Sequence, residues 1–125
     1  MLISSTIFLP EKEKIVIIKG EQNNWIIKRV IATEGDKVEF RDDGFVYING
    51  VLYQDDFGSV DYSNRLDAPF TEKVLEKGEY FYLGDNRSNS SDSRDYGTCT
   101  SEQIVGVVYD WTIGNKFLSA VLFWI

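Results

Sequence analysis

The chain has 125 residues, 43% of them hydrophobic, which suits a single domain over residues 1–125 with enough apolar content to form a core. Its 20 acidic residues against 13 basic residues give a net charge of −7 without any run of bases, so nucleic acid is not an expected partner. A single cysteine excludes an intrachain disulfide, and the lack of histidine removes the common Cys/His zinc sites, so no metal or other cofactor is expected.

Two β-branched apolar runs, Ile15 to Lys19 and Trp25 to Thr33, are the first clearly predicted strands. The second run is interrupted by two adjacent bases, Lys28 and Arg29. Because successive side chains of a strand point to opposite faces, these two bases cannot share one environment. The neighbouring residues do not decide which of them is buried, and the alternative is that both stems bend their charged heads into water.

Short strand patterns separated by turn residues continue along the chain. They are Lys37 to Arg41, Phe45 to Ile48, Val51 to Tyr53, Glu79 to Leu83 and Ile104 to Trp111. Asn49-Gly50 is the signature of a type I′ hairpin turn. Asp43-Gly44 marks the turn before it, so consecutive strands are predicted to be antiparallel. Residues 54–71 are polar and predict a variable loop or insertion, and the fold class is all-β and mostly antiparallel.

The segment from Gly84 to Arg94 is the most distinctive part of the chain, with the sequence GDNRSNSSDSR directly after an aromatic strand. Asp, Asn and Ser side chains bond to nearby backbone amides, so this composition builds turns and rigid polar networks. A calcium loop of the EF-hand type is excluded because its sixth and twelfth positions, counted from Asp85, are Ser90 and Tyr96 instead of Gly and Glu. The segment predicts a loop that positions a catalytic group.

The strand and turn IIKRVIATEGDKVEF, the hairpin DGFVYINGV and the loop YFYLGDNRSNSSDSR follow one another in this order and cover most of the chain. Together they resemble the bacterial type I signal peptidases. The resemblance implies a β-rich catalytic domain of the signal-peptidase and LexA-like type, in which a serine nucleophile works with a lysine general base instead of a histidine. That lysine precedes the arginine of the strand, so the implied general base is Lys28.

A lysine needs help to act as a base, since an unperturbed pKa of about 10.4 leaves nearly all of it protonated at pH 7. Burial among apolar strand residues would lower the pKa of Lys28 and allow its neutral amine to deprotonate a serine. The resemblance implies that Ser90 hydrogen-bonds this amine and orients it. It also implies that Asp92 and Arg94 pair to hold the loop in shape.

The resemblance further implies a substrate class and a location. The parent protein would be a membrane-bound serine endopeptidase at the extracytoplasmic face of the bacterial cytoplasmic membrane, where it removes signal peptides from exported preproteins. The substrate would be extended, with small residues such as Ala-x-Ala before the cleavage site. It would add as a strand beside Trp25, Ile26 and Ile27, with its small side chains in shallow apolar pockets. The apolar run 117–125 has nine residues, where a spanning helix needs about twenty.

One departure from the family concerns the nucleophile, which lies there in a Ser-Met-x-Pro-Thr-Leu-like segment. No such segment occurs here, since the only methionine is Met1. Met1-Leu2-Ile3 resembles the strand that follows this segment in the family. We therefore expect the chain to begin after the nucleophile, its oxyanion-hole residues and the membrane anchor. Such a chain is expected to be soluble and to be inactive alone. Ser4 and Ser5 fall on the far side of that strand match, which argues against them as substitutes.

Two alternative functions remain open at this point. A LexA-type self-cleaving domain also uses a serine and a lysine on a β-rich fold, but the GDNRSNSSDSR loop and the Tyr-Ile-Asn-Gly hairpin favour the peptidase. The other alternative is a non-catalytic assembly factor of the kind found among the signal-peptidase-like proteins of pilus systems. The presence of Lys28 and Ser90 argues against that alternative.

Overall fold

The computed structural model describes residues 2–4, 10–20, 24–57 and 69–110 of the chain. Within these ranges the chain forms mainly β-strands. They are β1 (Leu2–Ser4), β2 (Ile15–Lys19), β3 (Trp25–Ala32), β4 (Lys37–Phe40), β5 (Val46–Ile48), β6 (Val51–Leu52), β7 (Glu72–Val74), β8 (Glu79–Leu83), β9 (Cys99–Thr100) and β10 (Ile104–Asp110). The helical elements found there are α1 (Ser93–Tyr96) and two 3-10 turns, Arg87–Asn89 and Ser101–Gln103. Across the same ranges, no helix has the length and apolar character needed to cross a membrane.

The larger sheet has six strands in the order β1-β10-β2-β3-β8-β9, and all of its pairs are antiparallel. Residues 15–18 of β2 are all buried. Because alternate side chains of a strand point to opposite sides, both faces of the sheet are covered at this central strand. One face carries a core cluster, here named the first cluster, of Val16, Ile18, Val30, Tyr80, Tyr82, Cys99 and Ile104.

The smaller sheet has four strands in the order β6-β5-β4-β7. Its inner side chains join residues of β3 and β8 in a second cluster of Ile31, Ala32, Val38, Val46, Leu75, Phe81 and Leu83. The second cluster therefore connects the smaller sheet to β3 and β8, the strands that carry Lys28 and lead into the polar loop.

The hairpin turn of the smaller sheet has the predicted type. Asn49 and Gly50 have φ angles of 53° and 83°, positive at both central positions as a type I′ turn requires.

The predicted all-β, mostly antiparallel fold class is confirmed, and every predicted strand is present with its ends within one residue. Strands β7 and β9 were not predicted because each has only two or three residues and is defined by its pairing with a distant strand. The local sequence does not reveal such a pairing. Helix α1 was missed inside the predicted loop. Several sequence predictions lie outside the described residues: those on Ser5, 58–68 of the predicted 54–71 loop, Trp111 and 117–125.

Candidate active site

Strand β3 and the polar loop meet at Lys28 and Ser90, which are 62 positions apart in the sequence. The Nζ atom of Lys28 donates a hydrogen bond of 3.0 Å to the Oγ atom of Ser90, and both residues are buried. A lysine this deeply buried is uncommon, since lysines are seldom found fully buried. The two residues that the sequence singled out are therefore brought together.

The adjacent bases of β3 occupy opposite faces of the sheet. Lys28 lies on the face of the first cluster, between Ile26 and Val30 along the strand. Arg29 points to the other side and binds Asp85 through two bonds, from Nε to Oδ1 at 2.8 Å and from Nη2 to Oδ2 at 2.6 Å. The exposed fractions of Lys28 and Arg29 are only 7% and 6%, so the alternative that both heads reach water is wrong.

The protonation of Lys28 is governed mainly by burial. Desolvation is the largest effect on its pKa and lowers it below the ordinary value of 10.5. The negative charge of Asp92 opposes this shift, and the positive charge of Arg94 adds to it. The net direction is downward, which favours a neutral amine, the form that can accept a proton.

The loop that carries Ser90 is held by charged groups within itself. The Nη2 atom of Arg94 lies 2.7 Å from the Oδ2 atom of Asp92, and neither side chain is exposed. Asp92 also accepts a bond of 3.1 Å from the amide of Gly84 at the start of the loop, and Asp95 closes a capping box with it at the start of α1. The predicted pairing of Asp92 and Arg94 is present. The bond between Gly84 and Asp92 connects the start of the loop to its end.

A cleft of about 470 Å³ lies beside Lys28. Its apolar and aromatic lining includes Ile18, Ile26, Tyr82, Tyr96 and Cys99. Burial raises the pKa of the Cys99 thiol to about 12, so this cysteine is not a thiolate nucleophile at neutral pH. The lining also has a polar part, formed by Lys19, Asn24, Lys28, Ser91, Thr98 and Gln103. The Lys28 amine, whose pKa is lowered, therefore faces a cleft with both apolar and polar walls.

The three residues predicted to bind substrate are placed differently. Ile26 lines the cleft, whereas Trp25 is 67% exposed and Ile27 is half-buried, and neither of these two lines it. Tyr82 and Cys99 were missed as lining residues because they reach the cleft through the pairing of β8 with β3 and β9, which the sequence alone does not reveal. For Tyr82 the available signal was its position in the predicted strand Glu79 to Leu83, whereas Cys99 lay outside the predicted strands.

One edge of β3 is open next to the cleft. β3 pairs with β2 over Trp25 to Arg29, but it pairs with β8 only from Arg29 onward. Among the described residues, no strand pairs with Trp25 to Ile27 on the side of β8. Such an edge presents backbone N–H and C=O groups that can pair with an extended peptide.

Comparison with known proteins adds to this geometry. The family described as "Signal peptidase, peptidase S26" matches residues 2–111. The chain belongs to the signal peptidase family. Signal peptidase IB of Staphylococcus aureus is 34% identical, with 78% of this chain and 58% of the relative covered. Signal peptidase I V of Bacillus subtilis is 36% identical, with 77% and 62% covered, so the chain spans about three fifths of these relatives.

This chain is also similar in structure to a signal peptidase I from Enterococcus faecalis V583. The TM-score is 0.59 at 28% sequence identity, and the match covers 83% of this chain and 100% of the other. The recognition of a type I signal peptidase from three sequence segments is therefore confirmed at the level of family and fold.

Ser4 is not placed to replace the family's nucleophile. It lies in β1, which is separated from β3 by β10 and β2 in the larger sheet. At about 4.8 Å per strand, the backbones of β1 and β3 are roughly 14 Å apart, so Ser4 does not lie on a strand next to Lys28.

Proposed function

We propose that this chain is the catalytic β-rich part of a serine endopeptidase that removes signal peptides from exported preproteins, with Lys28 as general base. The observation that carries the proposal is the buried contact of 3.0 Å between Lys28 and Ser90, in a chain of the signal peptidase family. The lowered pKa of Lys28 supports it, because a neutral amine is required to activate a serine hydroxyl at physiological pH.

In the proposed reaction, Lys28 Nζ takes the proton of the attacking serine hydroxyl as the oxygen bonds to the substrate carbonyl carbon. The resulting ammonium gives that proton to the departing amine when the peptide bond breaks. The neutral amine then takes a proton from water as the water oxygen bonds to the acyl carbon. It returns this proton to the serine oxygen when the ester bond breaks, which restores the serine and releases the signal peptide. Ser90 is proposed to hold the amine in position, and the hydrogen bond that its Oγ accepts from Nζ supports this role.

The attacking serine is proposed to come from a Ser-Met-x-Pro-Thr-Leu-like segment of the parent protein, a motif that the 125 residues do not contain. We therefore propose that these 125 residues do not cleave by themselves. The parent is proposed to be membrane-bound and to act on the extracytoplasmic side, as the family resemblance implies. No metal takes part in this scheme, since the lysine supplies the proton transfer and the serine supplies the nucleophile.

The proposed substrate is an extended peptide that adds to the open edge of β3 at Trp25 to Ile27. Backbone pairing there would align the peptide with Lys28, the next residue of the strand. The cleft beside it, with Ile26 and Tyr82 in its lining, favours small uncharged side chains such as those of an Ala-x-Ala sequence. The roles of Trp25 and Ile27 would then be carried by their backbone groups.

The experiment that tests this function is cleavage of an Ala-x-Ala preprotein by the full-length parent protein, with Lys28→Ala as the test variant. Lys14→Ala is the matched control, since Lys14 is an exposed lysine. Loss of nearly all cleavage in Lys28→Ala, with Lys14→Ala unaffected, is the expected result. Equal cleavage by both variants would contradict a base role for Lys28. If the folded, unchanged parent does not cleave the preprotein, a non-catalytic assembly role is indicated. If the parent instead cleaves its own chain, the LexA-type reaction is indicated.

A further inference from the structure

The segment that follows strand β6 of the smaller sheet reaches the loop that carries Ser90. This segment, residues 53–57, follows β6 and is here named the docking segment. The Oδ2 atom of its Asp55 accepts a bond of 2.9 Å from Nη2 of Arg87. The Arg87 side chain has no exposed surface and the Asp55 side chain only 2%, so the ion pair is completely enclosed by protein.

The carboxylate of Asp55 is itself held in place. The hydroxyl of Tyr53 donates to its Oδ2 atom, and the amide of Phe57 donates to its Oδ1 atom at 3.2 Å. The ring of Phe57 lies against the guanidinium of Arg29, with 3.8 Å from the guanidinium carbon to the ring centre. The docking segment thus contacts both the polar loop and the residue next to Lys28.

Arg87 connects this segment to Ser90. Its Nε atom donates to the carbonyl of Gly84 at 2.6 Å, and its own carbonyl accepts a bond of 2.7 Å from Nη2 of Arg94. Arg87 also begins the 3-10 turn that ends one residue before Ser90. The position of the Arg87 side chain therefore fixes the turn from which Ser90 projects towards Lys28.

We propose that Asp55 is a positioning residue, which through Arg87 fixes the polar loop so that Ser90 stays in contact with Lys28. The inference rests on the proposed base role of Lys28 and extends the site to the docking segment, which follows strand β6 of the smaller sheet. The Nη2 atom of Arg87 lies 2.9 Å from Asp55 and 3.6 Å from Asp85, so loss of the nearer carboxylate weakens the neutralisation of a fully buried guanidinium. A buried charge that is neutralised less well is disfavoured, and it moves or draws in water. Loss of the Asp55 charge would therefore loosen the turn before Ser90 and let water reach the Lys28 amine.

The direction of the effect distinguishes positioning from direct electrostatics. Removal of a nearby negative charge by itself lowers the pKa of a lysine, because it removes an interaction that favours the ammonium form. Hydration of the amine raises the pKa, because it relieves the desolvation that is its largest perturbation. The charged groups that act on Lys28 in the intact protein include Asp92, Arg94, Asp85 and Asp95.

The test is a pH titration of Lys28 in the 125-residue chain, followed by NMR of lysine labelled at the ε carbon. The signal of Lys28 is assigned by its loss in Lys28→Ala. We expect Asp55→Asn to move the Lys28 midpoint upward by about one pH unit. Asp56→Asn is the matched control, since Asp56 is the adjacent but exposed carboxylate, and it should leave the midpoint unchanged.

A folded Asp55→Asn chain whose Lys28 midpoint is unchanged or lower would overturn the inference. A Lys28 midpoint at the ordinary lysine value in the unchanged chain would instead contradict the proposed base role, so the two failures are distinguishable. If Asp55→Asn does not fold, Tyr53→Phe removes one donor to Asp55 and should also raise the midpoint. Its control is Tyr47→Phe, which removes the same kind of bond to Asp43 on the exposed surface, and equal midpoints in these two variants would overturn the inference.

Discussion

Lys28 and Arg29 are consecutive residues of one strand, yet one lies beside a hydroxyl and the other in a two-bond contact with a carboxylate. Both are buried, on opposite faces of the larger sheet. The charge of the arginine is balanced by Asp85. The lysine donates to the Ser90 hydroxyl, and desolvation by burial is the largest effect on its pKa, which is lowered. The alternation of a β-strand thus assigns one base to structure and makes the other available for proton transfer.

The hydrogen bond from Lys28 to Ser90 predicts an effect on turnover. Ser90→Ala in the full-length parent should lower kcat for preprotein cleavage roughly ten- to a hundredfold, the equivalent of a lost bond to an ionisable group. Ser90→Thr keeps a hydroxyl and should retain more activity. Ser88→Ala, at an exposed serine of the same loop, serves as control. Steady-state kinetics measure the effect, and equal kcat values for Ser90→Ala and Ser88→Ala would exclude an orienting role.

The lowered pKa of Lys28 predicts a pH dependence of stability. Between that pKa and the unfolded value of about 10.4, the unfolded chain binds a proton that the folded chain lacks. The contribution of Lys28 therefore makes the free energy of unfolding rise with pH in this window, by at most about 1.4 kcal/mol per unit. Lys28→Met removes this contribution, so its stability relative to the unchanged chain should be greatest at low pH and decline as pH rises.

Urea unfolding of the 125-residue chain from about pH 6 to about pH 10 measures this difference. Lys14→Met is the control, since the Lys14 side chain is exposed, and its difference from the unchanged chain should not vary with pH. Parallel stability curves for Lys28→Met and the unchanged chain would show that folding does not perturb the lysine.

The enclosed pair of Asp92 and Arg94 predicts a large loss of stability on removal of one charge. Asp92→Asn should destabilise the chain by about 3–5 kcal/mol, because it removes the carboxylate charge that balances the buried Arg94 guanidinium. Replacing both, by Asp92→Asn with Arg94→Met, should cost less than the sum of the single variants. Denaturant unfolding checks this, with the exposed Asp42→Asn as control. A strictly additive result would show that the two side chains are not coupled.

The hairpin between β5 and β6 predicts a purely backbone effect. Gly50 has a φ of 83°, and a Cβ atom added there would meet nothing within 4 Å. Gly50→Ala should therefore cost about 1–2 kcal/mol from the left-handed conformation alone. Thermal unfolding measures it, and an unchanged midpoint would show that the turn changes type.

The strands and the hairpin could be predicted because alternation and turn residues are local signals. Lys28 and Ser90 could be assigned because the two motifs that carry them resemble a known family, although neither motif alone indicates a contact over 62 positions. The rest depends on pairing between distant segments. The ion pair of Asp55 with Arg87 is one example, since Asp55 is one of two adjacent acids in a polar stretch and only the folded chain distinguishes it from Asp56.

The central claim is that the neutral amine of Lys28 is the base for preprotein cleavage. The most direct measurement compares the midpoint of kcat/KM against pH, for cleavage by the full-length parent, with the midpoint of the Lys28 NMR titration in the same protein. We predict that the rate rises with pH and that the two midpoints coincide, below the ordinary lysine value. A cleavage rate that stays constant while Lys28 titrates would contradict the claim.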